Sequence, residues 1–239
     1  MFKFKISGDS ALIISGGDVI SEEINRSIRK FMAAVNLQNI NGIIDLIPSY
    51  NELMVCYDPL IISLSDLLAR MPEIEKNIDS VGLPPAMVFN IPVLYGGEGG
   101  PDISEVAFSN NISEDDVINI HSSGTYLVYM LGFTPGFCYL GGLDSRICTP
   151  RKKDPRIRIP AGSIGIAENQ TGIYPVESPG GWQLIGLTPV RLFDPGRNPE
   201  FLIGAGDYIK FFPVNESEYN SIKSDVSSGT YNVKITGRD

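Results

Sequence analysis

The chain has 239 residues, 43% of them hydrophobic and 20% charged, an ordinary globular composition with room for one large domain or two small ones. Its formal net charge of −9 repels phosphate backbones and anionic lipid surfaces, which disfavours nucleic acid and membranes as partners. No apolar run has the length of a membrane span, and the opening MFKFKISGDS lacks a signal peptide's apolar core and cleavage site, so a cytoplasmic location is expected. Cys56, Cys138 and Cys148 form no CxxC pair, and His121 is the one imidazole. Reduced thiols and no structural metal are therefore expected.

In chain order, the pattern strand, strand, helix occurs twice in the first eighty or so residues. Phe2 to Ser7 and Ala11 to Ser15 are β-rich runs joined by the turn residues Gly8-Asp9-Ser10. Ser21 caps a helix whose first turn carries Glu22 and Glu23. Its apolar face is Ile24, Ile28, Phe31, Met32 and Val35. After the Asn41-Gly42 turn, Ile43 to Ile47 and Glu52 to Tyr57 form a second strand pair, and Leu64, Leu67, Leu68 and Met71 give a second helix its stripe. Pro72 is expected to interrupt that helix. This ββαββα order predicts an α+β domain with both helices on one face of a small antiparallel sheet. Nothing in it points to catalysis, and a packing or partner-binding role is the expectation.

Gly82-Leu83-Pro84-Pro85 marks the expected boundary, giving domains over residues 1–84 and 85–239. Beyond it, Gly and Pro become dense. Short apolar runs at Met87 to Tyr95, Thr125 to Leu131, Gln183 to Leu187 and Tyr208 to Phe212 stand between turn signals, the pattern of a mainly-β barrel or sandwich. One helix is expected to interrupt it, capped by Ser113, with Glu114 to Asp116 in its first turn, Val117 and Ile120 inward, and Ser122-Ser123-Gly124 as its stop. The tail after Asn215 reads as polar and peripheral, with a last strand near Tyr231 to Ile235.

Three segments carry a resemblance. IPVLYGGEGGPD (Ile91 to Asp102), GFTPGFCYLGGLD (Gly132 to Asp144) and TPRKKDPRIRIPAGSIGIAENQTGIYPVESPGGWQLIGLTPVRLFD (Thr149 to Asp194) resemble, in order and spacing, the signatures of the 5-oxoprolinase B-subunit family, also called KipI or allophanate hydrolase subunit 1. The resemblance implies a cyclophilin-like β-barrel in the second half. It further implies partnership with a homologous, KipA-like C subunit and with an A subunit that is a metal-dependent hydrolase, in opening 5-oxoproline to glutamate with ATP and magnesium. Two relatives set alternatives: a carboxyltransferase component of a urea carboxylase and allophanate hydrolase system, and an inhibitor of a sporulation histidine kinase. Cys138 stands where the family has proline, and Leu187 where it has arginine, so any anion contact made by that guanidinium is lost here.

The same segments contain the candidate chemistry. The glycines around Gly97 can turn backbone N–H groups toward a phosphate or carboxylate, and Glu98 and Asp102 can hold a nucleotide's magnesium or act as acid and base, although surface carboxylates are commonly only solvated. His121, at a helix end where the dipole favours imidazolium, is a candidate general acid or base, with a packing role as the alternative. Arg151 and Arg156, among Arg158, Lys152 and Lys153, form the main basic cluster and suit bidentate anion binding. Arg158 is equally suited to a plain ion pair. Ser163, Gln170, Thr171 and Tyr174 are candidate pocket-lining groups, and Trp182, beside Gly180 and Gly181, lines a pocket or belongs to the core. With no serine elbow, paired histidine base or P-loop, independent nucleophilic catalysis is not expected, and the site is expected to be completed by the C subunit.

Overall fold

The computed structural model describes residues 2–238, which divide into two compact units between Pro85 and Ala86. In the first unit, β1 (Lys3–Ser7), β2 (Ala11–Ser15), β3 (Ile43–Pro48) and β4 (Glu52–Tyr57) form an antiparallel sheet in the order β1-β2-β4-β3. Register places Leu12 opposite Val55 and Ile14 opposite Leu53. These four side chains are fully buried in one cluster with Ile28, Phe31 and Val35 of α1 (Glu22–Leu37) and Leu67, Met71 and Ile74 of α2 (Leu64–Asn77). Alternation along the strands thus turns one face to the two helices. Ser21 caps α1 by accepting from the Ile24 N–H, and Ser63 caps α2 by accepting from the Asp66 N–H.

Helix α2 runs through Pro72 instead of stopping there. Proline removes one intrahelical donor, worth roughly 3 kcal/mol at an interior position. Burial of Leu67, Met71 and Ile74 on both sides of it offsets that loss, at about 1.5–3 kcal/mol for each large apolar side chain.

The second unit contains the strands β5 (Met87–Tyr95), β6 (Tyr126–Leu131), β7 (Cys138–Gly141), β8 (Arg156–Ile159), β9 (Ser163–Ala167), β10 (Gln170–Ile173), β11 (Ser178–Gly180), β12 (Gln183–Leu187), β13 (Tyr208–Pro213) and β14 (Lys234–Gly237). Among the described residues, seven strands in the order β12-β9-β10-β7-β6-β13-β5 close on themselves, because the end of β5 returns to β12 through Tyr95 opposite Gly186 and Leu94 opposite Leu187. The result is the mainly-β, cyclophilin-like barrel that the resemblance implies. Strand β14 pairs with the first half of β5, while β8 and β11 form a separate ribbon. Alternating side chains such as Ile91, Val93, Val128, Leu140, Ile164, Ile166, Ile185, Ile209 and Phe211 fill the interior.

Among the described residues, three α-helices accompany the barrel, where the sequence pattern predicts one. The anticipated α4 (Glu114–Ser123) has a capping box between Ser113 and Asp116. It is preceded by α3 (Ile103–Asn110), whose Ile103, Val106 and Ala107 are buried at helical spacing directly after the glycine-rich run. The polar tail forms α5 (Glu216–Ser228), framed by an Asn215–Glu218 capping box and by Gly229 in the left-handed conformation. It buries little beyond Tyr219, so local capping rather than an apolar stripe defines it.

Close backbone approaches set the barrel's tolerance to change. Gly162 has φ +87°, its N–H donates to the Tyr174 carbonyl, and a Cβ there would run into the carbonyl oxygen of Thr188. Gly162→Ala is expected to destabilise the chain by ~2 kcal/mol or more, read as a lower midpoint in urea unfolding followed by far-ultraviolet circular dichroism.

Candidate functional site

The glycine-rich run Gly96–Asp102 is clamped to β12. The Gly96 N–H donates to the Ile185 carbonyl (3.0 Å), the Asp102 N–H to the Leu184 carbonyl (2.9 Å), and a Cβ on Gly100 would strike the Ile185 backbone. Gly97, with φ +55°, and Glu98 form the exposed tip. Leu187, the residue that departs from the family pattern, lies against Gly99 at the base of this loop.

Asp102, which its sequence context offers to an anion or a magnesium ion, is bonded within the barrel wall instead of facing either cleft. Its carboxylate is 5% exposed, and both oxygens are engaged. Oδ2 accepts from the Leu184 N–H (2.7 Å), while Oδ1 accepts from Lys152 Nζ (2.9 Å) and Arg156 Nη2 (2.7 Å). Burial alone raises its pKa, but the bonds from Arg156, Leu184 and Lys152 outweigh burial and hold it below the usual carboxylate value. A buried carboxylate with three donors positions cations, and binding a second anion there would require breaking those bonds. Arg156 is accordingly tied to Asp102, whereas Arg158 makes an exposed ion pair with Glu177 (2.6 Å).

His121 sits in the last turn of α4, where the helix dipole favours the charged form. Its ring is wholly buried, stacked on Phe211 with centroids 4.6 Å apart. A dipole contributes about 0.3–2 kcal/mol, and desolvation exceeds that: burial pushes the imidazole pKa down to about 3. The hydrogen bonds fix the tautomer. Thr171 Oγ1 donates to the Gly165 carbonyl (3.0 Å), so it accepts from His121 Nε2–H (2.9 Å). The bare Nδ1 then accepts from the Tyr95 hydroxyl (2.7 Å), whose own pKa burial raises. His121 and Thr171 therefore form a satisfied polar girder in the barrel wall, which is the packing alternative for this histidine. Ser163 is also buried, at the start of β9, and Gln170 opens β10.

Two adjoining clefts carry the accessible chemistry. One, of about 270 Å³, is lined by aromatic side chains, including Phe133, Phe137, Tyr139, Tyr174 and Trp182, together with Arg151. Phe137 meets Trp182 edge-on with centroids 5.6 Å apart, and Arg151 lies over the Trp182 ring at 5.8 Å. Gly180 has no room for a Cβ against the Tyr174 hydroxyl; burial raises the pKa of that phenol to about 12. The other cleft, of about 380 Å³, is lined by Arg151, Lys152, Lys153, Glu105, Asp154 and Gln183 among others. Of the sequence-derived candidates, the structure brings Arg151, Tyr174 and Trp182 to these clefts, while Asp102 holds both Lys152 and Arg156. Gly97, Glu98, His121, Ser163, Gln170 and Thr171 line neither cleft. Sequence reasoning misses Phe133, Phe137 and Tyr139 as site residues, although the aromatic spacing of GFTPGFCYLGG places all three in one turn and strand.

Comparison with known proteins agrees with this architecture. The profile of the carboxyltransferase domain, subdomain C and D, matches residues 2–203. The chain belongs to that family. It is 44% identical over 232 residues to the 5-oxoprolinase B subunit of Bacillus subtilis (strain 168), covering 91% of this chain and 95% of the relative. Among solved structures, TTHA0988 matches with a TM-score of 0.74 and 37% identity over 86% of this chain. The chain spans only 40% of that longer polypeptide. The Kluyveromyces lactis urea carboxylase matches with a TM-score of 0.82 over 99% of this chain and 24% of its own, and at 20% identity this likeness concerns the fold.

Because the folded-state pKa of His121 is depressed, the unfolded chain takes up the proton first. The corresponding stability is complete above about pH 6.5 and declines as pH falls toward 3, by on the order of 3 kcal/mol at pH 4. Urea-unfolding midpoints measured from pH 7 to pH 4 in His121→Gln should lose that part of the slope. Asp102→Asn should destabilise the barrel by about 1–3 kcal/mol, since it removes the charge partner of the half-buried Lys152 and Arg156, as read by a lower Tm.

Proposed function

We propose that the chain is the B subunit of an ATP-dependent 5-oxoprolinase, acting with a homologous C subunit and a hydrolase A subunit to convert 5-oxo-L-proline to L-glutamate. The observation that carries this reading is the 44% identity to a 5-oxoprolinase B subunit along nearly the full length of both chains. The geometry supports a shared role in binding. The cationic cleft around Arg151 offers charge-assisted donors to an anionic small molecule, and neither cleft is lined by a cysteine or histidine that could act as nucleophile or base. In this reading the chain is inert by itself, and the reaction is completed by groups from the partner subunits. ATP with magnesium is the co-substrate of the assembled complex, and the cytoplasm is its place of action.

Mixing the purified chain with the A and C subunits should release glutamate from 5-oxoproline together with phosphate, while the chain alone releases neither. Arg151→Ala should lower kcat/KM of the mixture about tenfold or more, since a charge-assisted hydrogen bond contributes roughly 1.5–3 kcal/mol. No 5-oxoproline-dependent glutamate from the complete mixture would refute the assignment.

A further inference from the structure

We propose that the two clefts meeting at Arg151 form one site for a magnesium-carried nucleoside triphosphate, with the base in the aromatic cleft and the polyphosphate in the cationic one. The proposal deepens the 5-oxoprolinase reading and rests on it for the use made of ATP. Its placement on this chain comes from the chemistry of the two clefts.

The clefts share a wall. Arg151 lines both, and the consecutive residues Trp182 and Gln183 line one each. Volumes of about 270 and 380 Å³ together suit an extended ligand with a flat end and a charged end. A single five-membered ring with one carboxylate would leave one cleft empty.

The aromatic cleft has the features of a base-stacking platform. Phe133 is held at φ +66° with its ring 60% exposed. That backbone conformation is costly for a bulky side chain and gathers at binding sites. Tyr139 is half-buried beside it, and Arg151 presents a planar cation; stacking on aromatic faces and guanidinium planes holds bases at about 1–3 kcal/mol each. Gly181 adds a second argument. Unlike Gly180, it is not required by internal packing, since a Cβ would meet Lys152 and Pro155 only at 3.6–3.7 Å. Its bare backbone leaves room for a flat ligand to approach closely.

The cationic cleft distinguishes a metal-carried polyphosphate from a simple carboxylate. Arg151, Lys152 and Lys153 attract anions, with Lys152 anchored through Asp102. The carboxylates of Glu105 and Asp154 line the same cleft and would repel a bare anion. A divalent cation between them and the phosphates removes the conflict. Magnesium is commonly held in this way, by one or two carboxylates plus phosphate oxygens. Gln183 donates its amide N–H to the Pro150 carbonyl (3.0 Å), which fixes its orientation and leaves Oε1 buried without a partner.

The chain has a single tryptophan, so its fluorescence reports on Trp182 alone. Titrating ATP with magnesium into the purified full chain should give a saturable fluorescence change with a matching heat of binding. The affinity should fall without magnesium, and roughly tenfold, or about 1.4 kcal/mol, in Arg151→Ala and in Lys153→Ala. Gly181→Val should abolish binding while leaving the Tm within a degree or two of the parent (~2 °C). Adenosine and inorganic triphosphate should each bind more weakly than ATP.

No response to millimolar ATP by either readout would overturn the proposal. So would binding undiminished in Gly181→Val, or inorganic triphosphate binding as tightly as ATP. A reconstituted complex that releases glutamate at full rate with Gly181→Val or Arg151→Ala in place would place the nucleotide elsewhere and leave the 5-oxoprolinase reading intact. A Trp182 response to ATP in a chain whose complete complex never turns over 5-oxoproline would retain the nucleotide site and reject that reading.

Discussion

The carboxylate of Asp102 holds the accessible half of the barrel in register with itself. Within one buried group it joins the end of the glycine-rich loop, the N–H of Leu184 on β12, the loop bearing Lys152, and Arg156 on β8. These elements are far apart in sequence and are drawn together at this one group. A charge this deeply enclosed is tolerated only because both of its oxygens have donors, two of them cationic, and that requirement fixes where each donor must be. Arg151 and Lys153 flank the lysine so anchored, so the position of the cationic wall follows from the position of the carboxylate. Net charge argues against anionic partners in general. Local geometry makes one small region an exception.

The same competition between burial and pairing explains why similar-looking candidates take different roles. His121 and Arg151 are both cationic in outline and both lie in family-like or adjacent segments. One is enclosed with both ring nitrogens bonded and is neutral; the other is exposed over an indole ring. The helix dipole favours a charged His121 but is too weak to impose it, because the dipole acts at a terminus while desolvation acts on the whole ring.

Much of the fold is legible in the sequence because periodicity and capping are local. Met87 to Tyr95 and Gln183 to Leu187 match their strands end to end, and Ser113 and Ser21 announce their helices. What stays hidden depends on context. Pro72 reads as a stop until the sheet beneath it is known to bury both flanks of α2. The apolar triplet of α3 sits so close behind a glycine-rich run that the run dominates the pattern. For the site, residue type identifies the cationic and aromatic groups at Arg151, Tyr174 and Trp182. It does not distinguish the Asp102 that braces a wall from a carboxylate that faces a ligand, since burial and donor count arise only when distant segments meet.

The pairing of β5 bears on how the chain is made. Its first half lies between β13 and β14, and its second half between β13 and β12, so a strand that begins at Met87 finds its neighbours far downstream. The sheet of residues 3–57, by contrast, pairs only within itself. On a ribosome the first unit can complete its hydrogen bonding while the second is still emerging. Met87–Tyr95 must meanwhile wait as an apolar strand with open edges until Tyr208–Pro213 arrives. That interval, set by topology and translation speed rather than by stability, is when the barrel half is most open to mispairing.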